Sequence, residues 1–214
     1  MTSSSPDAVV CSVNVGRPRH VEWRGQQVLT AIWKEPVQGA IRVEGVNFVG
    51  DDQADRRVHG GADKAVYVYA IEDIAWWAQA LDRPEVGPGW FGENLTTEGL
   101  DVTHSVVGER WRIGEAEFEV SQPRLPCSKL GIRFGDGRMV KAFARASRPG
   151  AYLRIVVEGT VGAGDPIELL HRPEHGVTVQ LVSDAFLVDP SLQPEAAKAP
   201  ELAASLADEL RAVA

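Results

Sequence analysis

The sequence predicts a mainly β protein: a closed or nearly closed β-barrel with short inserted helices, followed by a small three-helix unit. Three features carry that reading. Short runs of alternating apolar and polar residues recur up to about residue 172, separated by Gly, Pro and Asp turn signals. Few helical stretches interrupt them, so the strand–helix alternation of a doubly wound sheet is missing. From about Glu174 the composition turns Ala-, Leu- and Glu-rich with no strand pattern. A β-sandwich is the competing architecture for the first part.

The elements follow in order. Val9, Val10, Val13 and Val15 form an apolar strand, stopped at Gly16-Arg17-Pro18. Val21 and Trp23 precede a turn at Gly25-Gln26, and Val28 to Trp33 reads as the returning strand. Ile41–Val43 is a further short strand, and residues 50–64 are a polar loop. Val66–Tyr69 reads as a buried strand. Ile71 to Leu81 carries Ile74, Trp77, Ala78 and Leu81 at helical spacing. Pro84–Gly92 is a loop and Leu95–Thr97 a short strand. Residues 106–121 alternate on both sides of Gly114-Glu115, the pattern of a hairpin. Pro123–Pro126 is a rigid loop, 129–146 one or two short helices, and Tyr152–Val157 and Ile167–Leu170 the last strands. Residues 1–173 form the barrel domain in this reading and residues 174–214 the helical unit. The unit has three short helices at 177–186, 192–197 and 200–213, with Ser191 and Pro200 as start residues.

Composition excludes several functions. The chain has 214 residues, 44% hydrophobic and 24% charged, which is enough for a core without disulfide staples. Its net charge of -8 opposes nucleic-acid binding. The tail holds seven acids against one Lys and one Arg, so a helix-turn-helix role is opposed there too. Cys11 and Cys127 show no CxxC spacing, which leaves no disulfide framework, zinc finger or iron–sulfur site and suits a reducing compartment. No apolar run of roughly 18 residues and no signal-peptide pattern are present. A soluble, cytoplasmic protein is expected, with no membrane partner. Phosphate-loop, dinucleotide, HExxH and GxSxG motifs are absent.

The candidate chemistry sits in three segments. Residues 121–154 hold eight Arg and Lys against one acid, Asp136, an excess able to attract an anion if it folds onto one surface. A solvated basic face would read the same way. Inside that segment, Pro123-Arg124-Leu125-Pro126-Cys127-Ser128-Lys129 places a thiol between two prolines and two cations. Cations beside a thiol favour the thiolate, the form that binds soft metals. Cys11, in an apolar strand, reads instead as a small buried hydrophobe. The second segment is Arg56-Arg57-Val58-His59-Gly60-Gly61-Ala62-Asp63-Lys64. Its double glycine permits close backbone approach, and His59 and Lys64 can donate to an anion. The third, Gly92-Glu93-Asn94-Leu95, holds a carboxylate and an amide beside glycine turns.

These segments, in this order, resemble the MOSC domain superfamily, and within it the stand-alone YiiM type. The resemblance is carried by His59-Gly60-Gly61 with Lys64-Ala65-Val66, by Phe91-Gly92-Glu93-Asn94-Leu95, and by Pro123-Arg124 with Pro126-Cys127 and Lys129-Leu130. Gly150 with Tyr152 and Arg154, and Gly162 with Gly164-Asp165, complete it. It spans about residues 10–172, and the acidic tail is similar to the three-helix unit that follows the domain in this subgroup. A Gly-Asp pair common before the Trp111 strand is Gly108-Glu109 here.

The resemblance implies a MOSC-type β-barrel that binds the molybdenum cofactor (molybdopterin), with Cys127 as metal ligand and catalytic residue. Arg124, Lys129, Arg57, His59, Gly60, Gly61, Lys64 and Arg154 are the implied cofactor-binding set. Glu93, Asn94 and His59 are candidates for orienting substrate or relaying protons. The implied reaction is reduction of N-hydroxylated compounds, such as 6-N-hydroxylaminopurine, to the amine. The chain carries no flavin, haem or cysteine-cluster motif, so an external electron donor is expected, a flavoprotein reductase. The acidic tail offers a docking surface or a homodimer contact. Two alternatives remain open here: a sulfur carrier or transferase using a Cys127 persulfide, and a non-catalytic cofactor-binding module.

Overall fold

The computed structural model describes residues 8–52, 54 and 60–213. Its strands and helices run β1 (Val9–Val15), β2 (Arg19–Trp23), β3 (Gln26–Thr30), β4 (Glu35–Pro36), β5 (Ile41–Glu44), β6 (Asn47–Phe48), β7 (Val66–Ala70), α1 (Ile71–Ala80) and β8 (Leu95–Glu98). They continue with β9 (Arg110–Ile113), β10 (Ala116–Pro123), α2 (Ser128–Phe134), α3 (Met139–Ala146), β11 (Ala151–Val157), β12 (Gly159–Val161), β13 (Ile167–His171), α4 (Val179–Leu187), α5 (Gln193–Ala196) and α6 (Ala204–Val213). The protein is mainly β.

The strands form an eight-stranded sheet of order β13-β9-β10-β11-β7-β8-β1-β4, a three-stranded sheet β12-β5-β6 and the hairpin β2-β3. The large sheet is mixed. β7 and β8 run parallel, and α1 makes the crossover that parallel neighbours require. β7, Val-Tyr-Val-Tyr-Ala, is buried at every position because both its faces are covered. The β2–β3 turn has Arg24 and Gly25 at positive φ, the conformation of a two-residue hairpin whose twist matches its strands.

A closed barrel is not found among the described residues. The ladders leave β13 and β4 as ends of the large sheet. The start of β1 reaches the segment entering β13 through one isolated bridge, Val9 to Pro166. Three backbone bonds accompany it: Ile167 N–H to Ala8, Val10 N–H to Asp165 and Gly164 N–H to Val10. The sheet therefore curls until its two sides touch, and the contact is too short to form a continuous ladder.

Two apolar clusters fill the interior. The larger lies inside the curled sheet, around Val10, Leu95, Trp111, Phe118 and Leu153. It extends without a break to Val179, Val182, Ala185, Leu202, Leu206 and Leu210 of the C-terminal helices. The second is aromatic and joins α1, α2 and α3 to the sheet through Tyr69, Trp77, Phe91, Phe134 and Phe143. Trp77 and Phe143 stack with ring centres 6.1 Å apart.

Several boundaries differ from the sequence expectation. The strand expected over Val28–Trp33 ends at Thr30, because residues 31–34 leave the sheet to wall a cleft. The three-residue β12 is too short to show a period. In the tail, the starts are set by Thr178, whose hydroxyl accepts the Leu181 N–H, and by Asp189, whose carboxylate accepts the Ser191 N–H. Ser191 and Pro200 do not start helices; Pro190 takes the first position after Asp189, and the last helix begins at Ala204.

Gly150 shows what one turn demands. Its φ is +63°, and a Cβ there would lie 2.6 Å from the Tyr69 ring and 2.7 Å from the Val68 carbonyl oxygen. Gly150→Ala is expected to lose about 2–4 kcal/mol, since backbone strain and a clash with the central strand add. Urea unfolding measures this; a loss below about 0.5 kcal/mol would show that the turn relaxes freely.

Candidate functional site

The cleft opens where β7 and β11 lie side by side. It holds about 690 Å³ of empty space, part of it open to solvent. Residues from six stretches converge on it: Thr30 to Ile32 with Lys34; Asp51, Asp52 and Ala54; Lys64 and Tyr67; Phe91, Gly92 and Asn94; Arg124, Leu125, Cys127 and Lys129; and Tyr152.

Cys127 lines this cleft, half-buried, as the residue that caps α2. The extended backbone of the β10 exit delivers it there, after Pro123 has ended the ladder with Ala151. Arg124, Lys129 and Lys64 line the same cavity. Arg124 forms its floor, only 6% exposed, with its guanidinium 5.1 Å from the Tyr67 ring centre. It donates to the Phe91 carbonyl, which ties the Cys127 loop to the loop before β8.

On the opposite wall, Lys34 and Asp51 form a buried ion pair. Burial lowers the Lys34 pKa, and the Asp51 carboxylate opposes that shift. Asp51 also accepts from the Gly16 N–H at 2.7 Å and from the Asn94 amide at 2.8 Å. Asn94 in turn accepts the Tyr67 N–H at 3.2 Å. One carboxylate thus clamps three segments. The two tyrosines are held as neutral phenols, because burial pushes both pKa values up. The Tyr67 hydroxyl donates to the Pro149 carbonyl at 2.9 Å.

Glu93 is fully enclosed and does not line the cleft. Its carboxylate accepts from the Gly89 N–H, from the Phe91 N–H at 3.0 Å and from the Thr96 hydroxyl at 3.1 Å. The geometry makes it a positioning residue for the loop that carries Phe91. Burial pushes its pKa up from 4.5 to about 7, against those hydrogen bonds. A raised pKa stabilises the fold fully below the unfolded value, and that stabilisation is lost as pH rises through the folded one. Between pH 4.5 and 7 the stability of the wild type relative to Glu93→Gln should therefore fall, by up to roughly 3 kcal/mol. Urea titrations across that range test it; a flat difference would mean the carboxylate ionises normally.

Other expected residues lie elsewhere. Arg57 and His59 fall outside the described residues. Gly60 is described, and Gly61 takes φ +96° before a 3-10 turn at Ala62–Lys64. Arg154 does not line the cleft: it is paired with Asp63 at 2.6 Å and Glu119 at 2.9 Å, and it donates to the Glu201 carbonyl. The basic segment does not form one surface. Arg148 pairs with Asp73 and Arg138 with Asp136, while Lys141 and Arg145 are exposed. Of its eight cations, Arg124 and Lys129 reach the cleft. Cys11 occupies an exposed position on β1, not a core one, because the strand turns that residue outward; its thiol donates to the Thr96 carbonyl at 3.2 Å. Glu109, in place of the common Asp, is buried and accepts from the Trp111 indole at 2.9 Å. Sequence reasoning missed Lys34 and Asp51, which stand in a strand end and a polar loop without a motif. It placed Tyr67 in a buried strand without seeing that its ring faces a cavity.

The chain matches the MOSC domain model over residues 55–168. It is 42% identical over 174 residues to protein YflK of Bacillus subtilis, covering 81% of this chain and 78% of that protein. It is 36% identical over 154 residues to protein YiiM of Escherichia coli, covering 71% and 68%. A protein of Gibberella moniliformis named reductase is 33% identical over 152 residues, 70% of this chain and 27% of that protein. The crystal structure of YiiM from Geobacillus stearothermophilus superposes with a TM-score of 0.78 and 28% identity, covering 96% of this chain and 98% of that one.

Proposed function

The chain belongs to the MOSC family, and from that premise we propose that it is a molybdenum-cofactor-dependent reductase of N-hydroxylated compounds. The observation that carries the reading is the position of Cys127: an accessible thiol in a cleft lined by Arg124, Lys129 and Lys64.

The lining suits a metal that arrives on an organic chelate. Among the described residues no group of three His, Cys, Asp or Glu side chains gathers to hold a metal ion. A metal needing only one protein ligand is served by the single thiolate. Arg124, Lys129 and Lys64 suit the phosphate of a pterin cofactor. When bound, molybdenum supplies the two-electron chemistry that N–O cleavage requires. The kinship with a fungal reductase supports a redox role.

The overall reaction takes an N-hydroxylated amine, two electrons and two protons to the amine and water. In this reading the electrons come from an external flavoprotein reductase, and the protein works in the cytoplasm beside that donor. Tyr67, Tyr152 and Phe91 give the cleft flat apolar walls for a planar substrate such as a purine base. The two protons are drawn from solvent, to which the cleft is open. The Lys34–Asp51–Asn94 clamp and Glu93 hold the wall and the Phe91 loop in register with Cys127. The test is turnover of 6-N-hydroxylaminopurine by molybdenum-loaded protein with an artificial electron donor. Turnover that Cys127→Ser lacks supports the reading. A metal-free protein carrying a persulfide on Cys127 would replace it with the sulfur-carrier alternative.

A further inference from the structure

Next in the chain to segments that line this cleft, three guanidinium groups interleave with two indoles. The Arg19 guanidinium carbon lies 4.1 Å from the Trp33 ring centre. That of Arg133 lies 4.1 Å from Trp90 and 5.6 Å from Trp33, and that of Arg83 lies 5.1 Å from Trp90. None of the five side chains lines the cleft, but both indoles adjoin lining residues in the chain. Trp33 stands between Ile32 and Lys34, and Trp90 precedes Phe91 and Gly92, all four of them lining residues. Arg133 lies one turn beyond Lys129 on the same face of α2, about 9 Å along the helix axis from Cys127 at 1.5 Å per residue.

The positive charge there is poorly compensated. Among the described residues no carboxylate pairs with Arg19 or Arg133, while Arg83 meets Glu85 at 2.8 Å. The Nε of Arg133 is enclosed and finds no acceptor. Burial, with the charges of Arg19 and Arg83, pushes Arg133 below the ordinary guanidinium range, while the Glu93 and Glu35 carboxylates oppose that shift. Cation–π contacts with Trp33 and Trp90 offset part of this cost. Like charges held at stacking distance with an orphaned donor are nevertheless a structure that an oxyanion would relieve. Guanidinium forks match phosphate oxygens in geometry as well as charge.

We propose that the Arg19–Arg133–Arg83 stack is an anion subsite that takes the phosphate group of a phosphorylated substrate, a nucleotide in preference to the free base, while its reacting end enters the cleft beside Cys127. What happens at that reacting end rests on the reductase reading; the preference for phosphate does not. Trp33 and Trp90 report occupancy through their fluorescence.

The experiment titrates the protein at low salt with adenosine monophosphate and with adenosine, before and after cofactor loading. The monophosphate should bind at least about tenfold more tightly, the effect of one charge-assisted contact. Arg133→Gln and Arg19→Gln should each remove most of that preference; Arg19 lies exposed on the β2–β3 hairpin, where substitution spares the core. Equal binding of the two probes, or a preference that survives Arg19→Gln, would overturn the proposal. So would a preference that disappears on loading, which would assign the stack to the cofactor's own phosphate. Because binding is read without turnover, a protein that binds phosphate but reduces nothing would sink the reductase reading alone.

Discussion

Cys127→Ser is expected to lower both bound molybdenum and reductase turnover by more than about 100-fold while the thermal unfolding midpoint stays within a few degrees. Changing a residue that only supports a metal ligand costs about 10–100-fold, and here the ligand itself is removed. Serine keeps the size of the side chain but offers a hard oxygen that stays protonated, in place of a soft thiolate. The fold should tolerate the change. Cys127 caps α2 without a side-chain hydrogen bond and is only half-buried, so no buried partner is orphaned. Metal analysis and a turnover assay on the same preparation check this. Full molybdenum content in the variant would remove Cys127 from the metal site.

Glu93→Ala is expected to destabilise the fold by about 3–5 kcal/mol. The carboxylate is fully enclosed and satisfies the Gly89 N–H, the Phe91 N–H and the Thr96 hydroxyl. Truncation leaves three buried donors without a partner and a void in their midst. Each orphaned group costs about 1–3 kcal/mol, less than additively because the loop can relax. Glu93→Gln retains the shape and one acceptor, and its loss should be about half as large. The effect should extend to the cleft, since Phe91 carries the carbonyl that receives Arg124. Urea unfolding gives the stability, and a loss of less than about 1 kcal/mol for the alanine variant would show that Glu93 does not hold the loop.

The contrast between Glu93 and Cys127 shows what was legible in the sequence. Strands such as Val66–Ala70 and the hairpin at Gly114 were readable because alternation and turn chemistry are local. So was the cleft thiol, since prolines and cations surround it in the chain itself. Glu93 and Asn94 were marked as functional from residue type, yet one is enclosed and the other is bound into a clamp with Asp51 and Tyr67. Arg154 enters the cofactor set through the family resemblance, but its strand turns it toward Asp63 and Glu119. Lys34 meets Asp51 seventeen positions away, and Arg19 shares a stack with Arg133, so neither arrangement leaves a mark on a local window. Barrel closure was equally out of reach. It depends on how far the sheet curls, and a single bridge between Val9 and Pro166 expresses that curvature.

X-ray absorption at the molybdenum edge of loaded protein bears most directly on the thiol's role. The wild type should show a thiolate sulfur bound to the metal in addition to the sulfurs of the cofactor's own dithiolene. A shell accounted for by the cofactor's sulfurs alone would mean that Cys127 does not bind the metal.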